Sequence, residues 1–140
     1  MRGKRISIEE RILKEFHNVA VVGLSANPDK SSYQIASYLA EQGYNIIPVN
    51  PNAQQIMGRT SYPDLSSIPE KVDVVEIFRR PEDVLPIVEE AIKIGARVVW
   101  MQEGIVNEEA AARARSAGLL VVMDKCMFKE HQRMMQERAS

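Results

Sequence analysis

Three cationic side chains stand where they could bind phosphate groups. Lys30 follows a loop of small residues, and Arg79 and Arg80 directly follow an apolar run. An arginine guanidinium offers paired planar donors that match phosphate oxygens, and a lysine ammonium offers a point charge. The arginines could instead be solvated or paired with Glu82, and the sequence favours neither outcome. A ligand with phosphate groups is therefore one candidate for this chain.

The loop before Lys30 adds backbone groups to this chemistry. It leads into a helical pattern, so free N–H groups and the positive end of a helix dipole could bind phosphate. It matches neither the Gly-x-Gly-x-x-Gly dinucleotide fingerprint nor the Walker A loop. It could equally be a plain connection in which a serine caps the helix. The loop residues predicted to contact a ligand are Gly23, Leu24, Ser25, Asn27, Lys30, Ser31 and Ser32.

Polar and aromatic residues follow the other apolar runs. Asn50 stands where an NAD-binding domain usually has an acidic residue for the ribose, which makes NAD less favoured. Phe78 could cover a base, and Cys126, the only cysteine, could have its pKa lowered by Lys125 and a following helix. Turns, a core phenylalanine and a buried thiol are the ordinary alternatives. The predicted ligand contacts here are Asn50, Pro51, Phe78, Arg79, Arg80, Pro81, Gln102, Gly104 and Cys126.

The candidate ligand contacts lie between predicted strands and helices. Apolar runs typical of buried strands alternate with helical patterns, which predicts a parallel sheet with right-handed crossovers. Ligands bind such sheets beyond the carboxyl ends of the strands, where all the candidate segments lie. Residues 51–71 form too long a connection to lack structure, and a short helix is predicted at 64–68. The predicted strands are 19–22, 45–49, 72–78, 97–101 and 119–123, and the helical patterns are 7–16, 35–40, 85–92, 107–118 and 128–138.

The composition limits the classes of function. Of 140 residues, 45% are hydrophobic and 26% charged, which predicts one globular domain over residues 1–140. A net charge of −1 argues against a nucleic acid partner, and no apolar stretch approaches the ~20 residues that span a membrane. One cysteine excludes an internal disulfide, and His17 and His131 are too far apart to suggest a metal site. We expect a cytoplasmic protein, because residues 7–14 are charged where a signal peptide is apolar.

Taken in order, the strand-end segments resemble the small stand-alone CoA-binding proteins, which are related to the CoA-binding domain of the succinyl-CoA synthetase α subunit. The similarity covers residues 18–131. Each motif is weak by itself, but five in order at strand ends are fairly specific. The segments are Val21–Ser25 with Lys30, Pro48–Pro51, Val74–Pro81, Trp100–Gly104 and Asp124–Met127.

The resemblance implies a three-layer, Rossmann-like α/β fold with a five-stranded parallel sheet in the order 3-2-1-4-5 and helices on both faces. It also implies that coenzyme A lies across the strand ends, with phosphate on the loop 23–32. Asn50 and Pro51 would line the nucleotide pocket, and residues 78–81 would lie against the adenosine–phosphate half. Gln102, Gly104 and Cys126 would face the pantetheine half.

The favoured function is therefore binding of CoA or an acyl-CoA without catalysis by this chain. The synthetase relatives transfer phosphate through a histidine in a Gly/His-rich loop, and neither His17 nor His131 lies in such a loop. Thiol exchange could also join CoA to Cys126 as a mixed disulfide. The alternatives are an NAD- or nucleotide-binding enzyme and a CoA-ligase-like subunit that needs a partner. The tail residues Phe128, Met134 and Met135 could contact a second copy or another protein, or pack on their own sheet.

Overall fold

A computed structural model of the chain describes residues 6–139. The predicted α/β class is confirmed, with a parallel five-stranded sheet and a separate two-stranded antiparallel hairpin. All five predicted strands form, because their β-branched residues suit a sheet covered on both faces. The hairpin was not predicted. The strands in chain order are β1 (Asn18–Val22), β2 (Asn45–Val49), β3 (Gln55–Ile56), β4 (Arg59–Thr60), β5 (Val74–Ile77), β6 (Val98–Met101) and β7 (Leu120–Val122).

Helices form where the sequence patterns place them, and two of them begin at residues whose side chains cap the helix. The Ser7 hydroxyl accepts from the N–H of Glu10, and the Asn107 amide oxygen accepts from the N–H of Ala110. The short helix predicted at 64–68 is a single 3₁₀ turn, Leu65–Ser67, capped by Asp64. None of the helices in residues 6–139 is long and apolar enough to cross a membrane. The α-helices are α1 (Ile8–Glu15), α2 (Ser31–Glu41), α3 (Val84–Lys93), α4 (Glu108–Ser116) and α5 (Met127–Ala139).

The predicted strand order is wrong. The sheet runs β2-β1-β5-β6-β7, so the third long strand, β5, pairs with β1. In the predicted 3-2-1-4-5 order, that strand would pair with β2 instead. The observed order makes β2 an edge strand of the main sheet and puts β5 at its centre. The connection from β2 to β5 therefore crosses β1.

Pro48 gives the physical reason for this order. Because proline has no N–H, it suits an edge strand and not a central one. The Pro48 carbonyl faces away from β1 and accepts from the N–H of Tyr62, whose own carbonyl accepts from the N–H of Asn50. Arg59 of β4 also donates to the outer carbonyl of Ile46, at 3.4 Å. The segment after β2 thus covers the outer edge where the predicted order placed a full strand.

Alternating side chains of the strands build two cores, one on each face of the sheet. Val75 and Ile77 of β5 belong to the core under α3 and α4, whereas Val74 belongs to the core under α1, α2 and α5. Trp100 of β6 is fully buried in the second core. The resulting layers fix the sheet and leave the carboxyl ends of its strands open to a ligand.

Candidate functional site

The candidate site begins where β1 and β5 end side by side. The chain leaves β1 toward β2 on one side, whereas the strands after β5 continue on the other side, and this divergence opens a crevice. The two strand ends approach closely, since the N–H of Phe78 donates to the Val22 carbonyl at 2.8 Å. A Cβ atom on Gly23 would lie 2.6 Å from the Phe78 carbonyl oxygen. Glycine is therefore required where the first loop leaves the sheet.

A first cavity of about 540 Å³ lies on the β2 side of this crevice. Asn50 joins its two loops, because its amide donates to the Leu24 carbonyl at 3.0 Å and accepts from the N–H of Asn52 at 2.8 Å. Asn50, predicted to line a nucleotide pocket, therefore joins the loops on two sides of this cavity. The predicted site residues that line this cavity are Gly23, Ser25, Asn50, Pro51, Phe78 and Arg79.

A second cavity of the same size lies on the β6 side and shares Phe78 and Arg79 with the first. Phe78 is partly buried and packs against the core under α1, α2 and α5, as the alternative of a core phenylalanine predicted. The shared residues make the two cavities neighbouring halves of one cleft. The predicted site residues that line the second cavity are Ser31, Phe78, Arg79, Arg80, Pro81, Gln102 and Cys126.

Several residues of the first loop make hydrogen bonds within the loop or pack in the core instead of lining a cavity. The Ser32 hydroxyl accepts from the N–H of Ser25, and the Ser25 hydroxyl accepts from the N–H of Asn27, both at 3.0 Å. Leu24 is fully buried in the core. Lys30 is exposed at the N-cap of α2, lines neither cavity and has no ion pair within residues 6–139. The structure thus brings Arg79 and Arg80 to the cleft but leaves Lys30 outside it.

Both arginines at the end of β5 are paired with one carboxylate. Asp83 Oδ2 lies 3.6 Å from Nη2 of Arg79 and 3.2 Å from Nε of Arg80. Glu82 lies 3.7 Å from Arg80, so the pairing considered for it is present but is longer than the one with Asp83. Side-chain exposure is 47% for Arg79 and 74% for Arg80. Solvent therefore screens these pairs, and their donors remain within reach of a ligand.

Gln102 and Cys126 line the second cavity from neighbouring strand ends. Gln102 is only 6% exposed; its amide oxygen accepts from the N–H of Met127 at 3.4 Å, while its amide nitrogen has no protein partner in residues 6–139. Cys126 is also 6% exposed. Lys125, predicted to act on the thiol, pairs instead with Glu9 of α1 at 3.1 Å. A polar ligand group in this cavity would find an unused amide donor.

Gly104 lines neither cavity. Its N–H donates to Asp124 Oδ1 at 2.7 Å, and the backbone there has a φ of +87°. This contact ties the β6 loop to the β7 loop. Gly104 therefore shapes the rim of the second cavity indirectly.

Several residues that line the cavities were not predicted to contact a ligand. Asp64, Asp83 and Glu90 put three carboxylates on the first cavity, where Arg79 is the cation. Phe128 and Lys129 of α5 line the second cavity, and Lys129 pairs with Glu103 at 3.0 Å. No local motif marks these residues, because elements far apart in sequence bring them together. The cleft is therefore less cationic than the strand-end arginines alone predict.

Glu76, inside one of the segments that carry the family resemblance, is buried at the centre of the sheet. It is fully buried in β5, and neither of its carboxylate oxygens has a hydrogen-bond partner among residues 6–139. Its Cα partners are Val21 and Trp100 of the neighbouring strands. Burial raises the pKa of Glu76 to about 8. The side chain lines neither cavity.

Both histidines lie away from the strand-end cleft. His17 stacks on Tyr44 at 4.9 Å between ring centroids, and His131 Nδ1 lies 2.8 Å from the Tyr38 hydroxyl. Both line a different cavity, beside the residues that precede β1 and β2. Residues 6–139 contain no group of three His, Cys, Asp or Glu side chains placed to hold a metal ion. The cleft itself therefore offers binding groups without a histidine base.

Known proteins share both the sequence and the fold. The family model for the CoA binding domain matches residues 17–132. The Bacillus subtilis protein YneT is 38% identical over 122 residues, which cover 87% of this chain and 90% of YneT. A structure of a hypothetical protein from Pyrococcus horikoshii has a TM-score of 0.88 and 38% identity, covering 96% of this chain and 99% of that one.

A longer relative has a named activity. The ADP-forming acetate–CoA ligase II of Archaeoglobus fulgidus is 37% identical over 71 residues, which are 49% of this chain and 10% of the ligase. The family match, in contrast, runs through all the parallel strands and both strand-end cavities. Since that match spans most of its length, this chain belongs to the CoA-binding domain family.

Proposed function

We propose that this protein binds CoA or an acyl-CoA along the carboxyl edge of its sheet and catalyses no reaction by itself. The observation that supports this most directly is the pair of cavities joined at Phe78 and Arg79, in a chain of the CoA-binding domain family. CoA is a long ligand with a nucleotide end, phosphates and a thiol end. A cleft with two connected halves suits such a molecule better than a single deep pocket does.

The groups in the cleft suit different parts of the ligand. The nucleotide end fits the first cavity, where Asn50 and Pro51 lie beside the Gly23 loop. The phosphates lie near Arg79 and Arg80 and the backbone of that loop, which supply positive charge and N–H donors. The pantetheine arm enters the second cavity, where the amide nitrogen of Gln102 meets its amide oxygens. The thiol end then lies near Cys126.

The absence of catalysis is proposed from the position of the ionisable groups. His17 and His131 line a cavity away from the cleft. The three carboxylates of the first cavity already make hydrogen bonds or ion pairs with neighbouring residues. Asp64 accepts from Ser67, Glu90 accepts from the N–H of Ser66, and Asp83 pairs with the arginines. General acid–base or nucleophilic catalysis needs a base aimed at a nucleophile. These contacts favour a binding role.

Binding is tested by calorimetric titration and thermal shift with CoA, acetyl-CoA, NAD and ATP. We expect CoA to bind and to raise the melting temperature, because a ligand at 100 times its Kd stabilises the native state by about 2.7 kcal/mol. Arg79→Ala should weaken binding by roughly tenfold, the size of a lost charge-assisted hydrogen bond. The matched control is Arg113→Ala, which removes an exposed arginine that pairs with Glu89 away from both cavities. No shift with CoA alongside a shift with NAD or ATP would contradict the proposal.

We also propose that CoA forms a mixed disulfide with Cys126 when CoA disulfide is the oxidant. The Cys126 thiol loses its proton to solvent, and its sulfur attacks one sulfur of CoA disulfide. One CoA becomes bonded to Cys126, and the other leaves as a thiolate that takes up a proton. Intact mass spectrometry should show one CoA adduct that a reductant removes. An adduct of equal yield on the Cys126→Ser protein would contradict this step.

A second candidate is a CoA-ligase-like subunit that needs a partner protein. The specific observation in its favour is the 37% identity with part of the acetate–CoA ligase II. Incubation of the purified protein with acetyl-CoA, ADP and phosphate separates the candidates. Formation of ATP and free CoA by this chain would favour the enzyme, whereas binding without turnover favours the binding protein.

A further inference from the structure

The carboxylate of Asp83 is the closest anion to both arginines at the end of β5. Its Oδ2 atom lies 3.6 Å from Arg79 and 3.2 Å from Arg80. Asp83 is less exposed than Glu82, at 29% against 66%, and it lines the first cavity whereas Glu82 lines neither. A single carboxylate of the protein therefore pairs with both arginines that face the cleft.

Helix capping does not explain this carboxylate. Asp83 stands at the N-cap position of α3, where an aspartate usually accepts from a backbone N–H of the first turn. Here its backbone is already helical, with φ −95° and ψ −2°, and its side chain accepts no capping hydrogen bond. The preceding 3₁₀ turn, Pro81–Asp83, satisfies the backbone, since the N–H of Asp83 donates to the Arg80 carbonyl at 2.9 Å. The side chain is left to face the arginines.

We propose that Asp83 is a specificity-determining internal competitor, which holds Arg79 and Arg80 until a phosphate group of the ligand displaces it. This inference rests on the proposed function. A phosphate monoester carries close to two negative charges at neutral pH and three acceptor oxygens, so it can outcompete a single carboxylate for the guanidinium groups. A ligand with one carboxylate or no charge cannot. Asp83 thereby selects ligands rich in phosphate and lowers their affinity below what the arginines alone would give.

The test compares Asp83→Asn with wild type and with the matched control Glu82→Gln. Asparagine keeps the shape of the side chain and removes its charge, and Asp83→Ser serves as a second variant if the first does not fold. Each protein is titrated calorimetrically with CoA, with 3′,5′-ADP as the phosphate-bearing half and with pantetheine as the uncharged half. Melting temperatures without ligand show whether the fold is kept.

We expect Asp83→Asn to bind CoA and 3′,5′-ADP about two- to fivefold more tightly, because an exposed ion pair that the ligand must break is worth up to about 1 kcal/mol. Its affinity for pantetheine should not change, because that fragment has no group that competes for the arginines. Glu82→Gln should change the affinity for CoA less than twofold. This pattern is not expected from a purely structural role, which would alter all three affinities together.

Two results would overturn the inference, and they are distinguishable from failure of the proposed function. If wild type binds CoA and Asp83→Asn binds it equally or more weakly, Asp83 does not compete with the ligand and instead orients the arginines. If Asp83→Asn raises the affinity for pantetheine as much as the affinity for 3′,5′-ADP, the effect does not arise from charge. If no variant binds CoA or 3′,5′-ADP, the proposed function fails and this inference fails with it.

Discussion

Replacement of Gly23 by alanine tests the geometry on which the candidate site depends. The new Cβ atom would lie 2.6 Å from the carbonyl oxygen of Phe78 and 3.1 Å from Cδ of Arg79. The first contact is with backbone inside the junction of β1 and β5, so the neighbour cannot move without breaking the bond from the N–H of Phe78 to the Val22 carbonyl. The substitution therefore forces apart the two strand ends that frame the cleft.

The expected cost has two parts. Gly23 has a φ of +89°, and a left-handed conformation costs a non-glycine residue about 1 kcal/mol. The close contact adds about 1–3 kcal/mol, as overpacking does elsewhere in protein interiors. Gly43→Ala is the matched control, because Gly43 has a φ of +99° and an added Cβ meets no atom of the described residues within 4 Å. Gly23→Ala should therefore lower the free energy of unfolding by about 1–3 kcal/mol more than Gly43→Ala does.

Urea denaturation measures both free energies, and calorimetric titration measures whether CoA binding is lost with Gly23→Ala and kept with Gly43→Ala. At this chain length each kcal/mol corresponds to a melting-temperature shift of roughly 3–5 °C, which gives an independent reading. Equal destabilisation by the two variants, with equal affinity for CoA, would refute the argument that the strand ends approach too closely for a side chain.

Three further perturbations probe polar groups outside the cleft. Burial raises the pKa of Glu76 to about 8, so the native state holds a proton that the unfolded chain releases near pH 4.5. The free energy of unfolding should therefore fall as the pH rises from about 4.5 to about 8. Glu76→Gln should flatten this dependence in denaturation curves at about pH 5, 7 and 9, and a variant with the same slope as wild type would contradict the argument. Tyr44→Phe removes a hydroxyl that donates to the Leu13 carbonyl at 2.6 Å, and leaving that buried acceptor without its donor should cost about 1–3 kcal/mol in urea denaturation, so a loss under 0.5 kcal/mol would count against the bond. Asn107→Ala removes the cap of α4 and the bond from its amide to the Pro81 carbonyl, for which we expect a loss of about 1–2 kcal/mol, with Asn107→Asp restoring the capping part only.

The elements of this fold could be predicted because their signals are local. The apolar, β-branched run of 98–101 is a buried strand in any parallel sheet, and Asn107 followed by Glu108 is a helix start wherever the helix lies. The order of the strands is not local, since β5 could pair with β1 or β2 and remain equally apolar. Pro48 indicates the position of β2, which the apolar pattern does not. It lacks the N–H that a central strand donates to a neighbour, so β2 is suited to the edge of the sheet.

The sequence was sufficient to predict the segments of the candidate site, because parallel strands bring all their carboxyl ends to one edge wherever each strand lies in the sheet. It therefore placed Gly23, Asn50, Phe78, Arg79 and Cys126 at that edge, and these residues do line the two cavities. The charges that face the cleft could be identified only from the folded chain. Lys30 is exposed outside it, and Asp83 holds the arginines. The direction of a long side chain depends on packing against segments distant in sequence, and no spacing along the chain encodes it.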